Sequence, residues 1–174
     1  HGRRFHDFGG CDMSNVRVKG LSELNAALQT LPAKIEANVL RSAMRAGANV
    51  IKDEARANVS VASGKLRAGL KVSTSSRRGK VTAKVKATGE HAHVAPWLEF
   101  GTAAHRIVSK GKGLNIGGVV VRSVDHPGIS PRPFLRPALD SKAQQAVVAV
   151  GNAIKKRLAT KHGIDTADIE VEAE

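Results

Sequence analysis

Few residues of this chain could do chemistry, and they are poorly grouped. His91 and His93, with His105 downstream, could offer imidazole nitrogens to a metal. A zinc site would need a further ligand at fixed short spacing and carboxylates to orient the rings. The neighbourhood has neither pattern, so these histidines read as surface loop residues. Cys11 is the sole cysteine, which excludes an intramolecular disulfide and a multi-cysteine zinc site. Serines are numerous, but none stands in a Gly-x-Ser-x-Gly elbow. The run Gly111-Lys112-Gly113 resembles a phosphate loop only in composition, because the spacing and the following Ser or Thr are missing. Glu99 is a carboxylate set between Leu98 and Phe100, with no acidic neighbour to share acid–base work. The chain therefore reads as a non-enzyme, with no catalytic residue, metal or cofactor expected.

What remains are residues suited to packing and to charge. The segment His93–Thr102 (HVAPWLEFGT) holds Trp97, the single Trp, and Phe100, in a chain with four Phe and no Tyr. A chain so poor in aromatics is expected to place these rings where much apolar area is buried at one point. Trp97, Phe100 and Phe134 are accordingly read as core anchors. Glu99 inside such a plug needs a partner, and a salt bridge to Arg132 or Arg136 is the expected one. Gly101 permits a sharp exit into Thr102. A second marked stretch, His126–Ala138 (HPGISPRPFLRPA), carries His126, Pro127, Gly128, Pro133, Phe134 and Pro137. Its prolines force an extended chain up to a helix start.

The formal net charge is +13, and the acidic residues 164–174 mask an excess of +18 on the rest. Such a balance points to nucleic acid or an acidic protein surface nearby. The chain lacks an apolar run of the roughly 18 residues that a membrane span needs, so no membrane partner is expected.

The elements that position these residues follow from periodicity. Residues 1–12 show neither helical nor strand pattern and read as a leader or remnant ahead of Met13. Residues 13–163 read as one domain, followed by an acidic, loosely ordered tail over 164–174. Val16 and Val18 suggest a short strand. Leu21, Leu24 and Leu28 have helical spacing. Pro32 then opens a second helix to about Val59. One side of that helix carries two apolar rows, from Ile35 and Leu40 onward. Arg41, Arg45, Lys52 and Arg56 fall together on the other side with no evident compensating acid. Residues 70–75 and 80–88 alternate around Arg77 and Arg78, which predicts a hairpin with a basic outer face. Residues 106–109 and 119–124 read as further strands, with Lys110–Gly118, including Lys112, as a mobile loop between them. A final helix begins near Pro133–Pro137, carries an apolar stripe from Leu135 to Leu158, and stops at Gly163. The class is α+β: an antiparallel sheet of about four strands with the two long helices packed on one face.

The order of four segments carries a resemblance: VKGLSELNAALQTLP (Val18–Pro32), SGKLRAGLKV (Ser63–Val72), WLEFGT (Trp97–Thr102) and HPGISPRPFLRPAL (His126–Leu139). Together they resemble the neck or tail-completion family of long-tailed bacteriophages, typified by gene product ten of a lambda-like coliphage. The likeness runs from about Val16 to Leu158, with Trp97 standing where a Tyr or small residue is more usual. It implies a structural virion protein of the head–tail neck, assembled in the host bacterial cytoplasm. The chain would form a homo-oligomeric ring, a hexamer or alternatively a dodecamer. Viral DNA would pass through the lumen. The partners implied are further copies of the chain, a head-connector or stopper protein, and a tail terminator or tail-tube protein. Beside it stands a second reading, a non-enzymatic DNA-binding protein using the basic helix face and hairpin. In both, Arg41, Arg45, Lys52, Arg56, Arg77, Arg78, Lys110 and Lys112 are the interface or DNA-facing residues.

Overall fold

A computed structural model describes residues 18–59, 64–111, 113–166 and 169–172. The leader, Val16 and Lys112 lie outside the described residues. Two long helices form the frame, α2 (Ala33–Asn58) and α5 (Leu135–His162). Before them comes α1 (Leu21–Gln29), and between them α3 (Lys65–Gly69), β1 (Leu70–Arg77), β2 (Lys80–Ala87), α4 (Val94–Phe100), β3 (His105–Val108), β4 (Leu114–Ile116), β5 (Val119–Val121) and β6 (Ser123–His126). The α+β class holds.

The strands differ from the expected single sheet. Three two-stranded antiparallel pairs are present among the described residues, β1 with β2, β3 with β6, and β4 with β5. The last two form one long arm. The Ser109 amide donates to the Arg122 carbonyl at 2.9 Å, just beyond the pair Val108–Ser123, and pairing resumes at Leu114–Val121. Lys110 and Gly111 stand outside the pairing, and the Ser109 hydroxyl accepts the amides of Gly111 and Gly113. Thus residues 114–118 of the expected mobile loop are strand β4 and the tight turn at Gly117 and Gly118, both at positive φ. Leu114 and Ile116 alone, in this lysine- and glycine-rich run, make too short an alternation to be read as a strand.

The two long helices run antiparallel, because each end of the frame has its own core. At one end Val39 and Ala43 of α2 meet Ile154 and Leu158 of α5, with Leu24 and Leu28 of α1. At the other Ala55 and Val59 meet Phe134 and Ala138, with Leu66, Leu70 and Ala95. Between them the backbones come close at Gly47: a side-chain carbon there would lie 2.6 Å from Val150 Cγ2 and 2.7 Å from the Ala146 carbonyl. Only a residue without Cβ fits that crossing.

The acidic tail is not loose over its described part. Val171 is buried in the first core, flanked by Ile164 and Ile169. The Lys19 amide donates to the Glu172 carbonyl at 3.1 Å, and Lys155 Nζ donates to the Ile169 carbonyl. The three apolar residues interleaved with the carboxylates bind the tail to the body, while Asp165, Glu170 and Glu172 stay exposed.

Candidate functional site

The two marked stretches come together, but not as an aromatic plug. In α4, Ala95 and Glu99 share the inward side at i,i+4 spacing. Trp97 and Phe100 share the opposite side and are 44% and 67% exposed. The expectation that both rings anchor the core is corrected; of the three aromatics only Phe134, 1% exposed, does so. One short helix can bury one side, and here it buries the side that carries the carboxylate.

What the carboxylate does there is specific. Glu99 Oε2 accepts the amides of Phe134 and Leu135, and Oε1 accepts that of Arg136, each at 2.9 Å. These are the first amides of α5, which have no partner within the helix. The next residue is Pro137, which has no N–H to satisfy. A single side chain and one proline therefore account for the whole open N-terminus of a 28-residue helix. Negative charge at that end also interacts favourably with the positive end of the helix dipole. The expected salt bridge from Glu99 to Arg132 or Arg136 is replaced by this cap; both arginines are exposed.

The clasp continues on either side. The Arg132 amide donates to the Leu98 carbonyl at 2.7 Å, and Thr102 and Ile129 exchange both backbone bonds, at 2.9 and 3.1 Å. Gly101 and Gly128, both at positive φ, flank that bridge, where a side chain would strike the opposite backbone. Pro127 and Pro133 are exposed and keep the connecting strand extended. His126 pairs in register with His105, rings 5.1 Å apart, and its Nδ1 accepts the Gly128 amide. His91 and His93 stack 6.3 Å apart, and His93 meets the edge of Trp97. Among the described residues no group of three or more His, Cys, Asp or Glu is placed to hold a metal.

The basic stripe of α2 is divided. The β1–β2 hairpin lies along it: Arg45 Nη2 donates to Thr74 Oγ1 at 3.2 Å and Arg56 Nη2 to the Leu70 carbonyl at 2.9 Å. Lys52 is half-buried and bonds to Asn49 Oδ1, and Asp53 lies 3.1 Å from Lys52 and 3.7 Å from Arg56. So the inner half of the stripe is spent on packing the hairpin and has a compensating acid, contrary to expectation. Arg41 and Arg45 remain exposed.

The free positive charge lies instead on the hairpin. Residues 70–87 contain six Lys or Arg and no acid. Lys71 opposes Lys86, Ser73 opposes Lys84, and Arg77 opposes Lys80, all on the outer face. Like charges placed directly across a ladder destabilise it. Arg78 and Gly79, both at positive φ, make the tight turn at the tip. Lys71, Lys80, Lys84 and Lys86 therefore extend the surface of Arg77 and Arg78 into the basic outer face that the alternation predicts. Lys110 is exposed on the arm.

No helix among the described residues is long and apolar enough to cross a membrane. Residues 22–101, from α1 through the end of α4, match the family model described as "Bacteriophage HK97-gp10, putative tail-component". No curated protein and no solved structure gives a match. Over the frame helix, the basic hairpin and the Glu99 helix, the chain is similar to a family of bacteriophage tail components.

Proposed function

We propose that this chain is a structural component of a long-tailed bacteriophage virion, placed at the head–tail neck as a closed homo-oligomeric ring through which DNA passes. The observation that carries the reading is the family likeness over residues 22–101. Two features of the surface fit it. Large aliphatic and aromatic side chains are left exposed on the arm and on α4, as subunit contacts require. The hairpin offers a basic face without a single acid, suited to passing phosphate without reading sequence. Six copies is the number proposed, with twelve as the alternative. A head-connector or stopper protein and a tail terminator or tail-tube protein are the proposed partners on either side, and the assembled virion is the proposed location.

The opposed lysines of the hairpin also favour a second reading, a DNA-binding protein that acts without a ring. Two measurements separate them. Native mass spectrometry that gives one closed multi-chain species, with weak duplex affinity, supports the neck. Tight duplex binding by a monomer, falling steeply with salt, supports the second reading.

A further inference from the structure

Among the described residues, the arm β3–β6 leaves its large aliphatic side chains in solvent. Ile107, Val108, Ile116, Val119 and Val120 are between 36% and 63% exposed. At its tip the cross-strand pairs Leu114–Val121 and Ile116–Val119 put four aliphatic side chains on one face. A lone two-stranded ribbon is at best marginally stable in water and needs a surface to cover such a face.

The same chain carries an open apolar groove of about 480 Å³ along the seam of the two long helices. Met44, Ala48 and Ile51 of α2 and Leu139, Ala143 and Val147 of α5 form its walls. It is open because the seam is built of small residues: Gly47 and Ala146, where the backbones come closest, leave a trough instead of a ridge. Charge gives it a direction. Ala83 of β2 lines it too, and so does Leu21 at the start of α1. The neighbouring Lys19 and Gly20 abut the tail backbone at Glu172 and Glu170, and both those glutamates are exposed. The arm carries exposed Arg106, Lys110 and Arg122 against Asp125 alone among its described residues.

We propose that the arm of one copy seats its aliphatic tip in the α2–α5 groove of the next copy, with its arginines toward that copy's acidic tail. This rests on the homo-oligomer reading above and names the surfaces that make it. Arm and groove are different patches, so the contact is head-to-tail, and repetition closes a ring when the rotation per copy allows.

The full chain tests this with one variant on each side of the contact. I116T/V119E blunts the tip, and A48E fills the groove, with V147Q as a second, milder groove change. Size-exclusion chromatography with light scattering is expected to show wild type as one multi-chain species. Either variant alone should be a monomer with the circular dichroism spectrum of wild type, its self-association weakened at least ~100-fold. Mixed in equal amounts, the two variants should form a two-chain complex that grows no further, because the A48E arm still fits the I116T/V119E groove. That complex also certifies that both variants fold. Wild-type assembly by both I116T/V119E and the groove variants overturns the arm-in-groove contact and leaves the ring intact. A mixture that stays monomeric while wild type assembles also overturns it. A wild type that is monomeric at ~100 µM, far above the Kd of specific interfaces, overturns the contact and the ring together.

Discussion

The Glu99 carboxylate accepts the Phe134 amide at 2.9 Å across 35 residues of sequence, and the amides of Leu135 and Arg136 with it. The α4 helix thereby fixes where α5 begins, and the helix start fixes Phe134 in the core between α2 and α5. Removing the carboxylate leaves three amides without a partner in a nearly closed site. Glu99→Ala should destabilise the protein by about 3 kcal/mol, and Glu99→Gln by less, since one oxygen can still accept. Arg132→Ala and Arg136→Ala should each change stability by under ~0.5 kcal/mol, as surface substitutions do. Urea denaturation of the four variants measures this. A loss at Arg136→Ala equal to that at Glu99→Ala would restore the salt-bridge account.

Gly47 sets the spacing of the two long helices. Alanine is the better helix former by about 1 kcal/mol, yet its Cβ would press on Val150 and the Ala146 carbonyl. Overpacking of this kind costs about 1–3 kcal/mol. Gly47→Ala is therefore expected to lower the thermal midpoint, and Gly47→Val to lower it further. A midpoint raised by Gly47→Ala would mean that the helices separate there at little cost.

The exposed and buried rings should part company. Phe134→Ala should cost about 3–5 kcal/mol, as large core truncations do. Trp97→Ala and Phe100→Ala should each cost under ~1 kcal/mol of monomer stability and yet weaken association with partner subunits. Thermal melts and sedimentation velocity on the same samples separate the two effects.

The hairpin face should bind polyanion through charge alone. Lys71→Gln with Lys86→Gln removes one opposed pair. The hairpin should gain a few tenths of a kcal/mol from relief of repulsion. Duplex binding should lose about two units from its log–log salt slope, at close to one unit per phosphate contact. Fluorescence anisotropy over a salt series reads the slope. An unchanged slope would take the hairpin out of the DNA path.

Much of the frame was legible in the sequence. Pro32 and Gly163 mark helix boundaries, and the alternation of Val81, Ala83, Val85 and Ala87 fixes the face of the hairpin. The site was legible in part. His126–Ala138 and His93–Thr102 stood out by composition, but the partner of Glu99 is backbone, and backbone amides leave no mark in a sequence. The orientation of Trp97 was equally hidden, because a helix of seven residues holds too few apolar positions to define its buried side. The docked tail did leave a signal: Ile164, Ile169 and Val171 interrupt the carboxylates, and the strong acidity of the segment masked them. The stripe on α2 misled because a helix pattern shows which residues share a face, not whether a hairpin will lie on it.

The central claim is that copies of this chain close on themselves. Native mass spectrometry of the purified full chain, sprayed from ~10 µM protein at near-neutral pH, tests it most directly, because a subunit contact in the usual micromolar-to-nanomolar range would be populated there. The account predicts one dominant species of six chains without a ladder of intermediate sizes. A spectrum of monomers, or an open-ended series of oligomers without a preferred size, would contradict it.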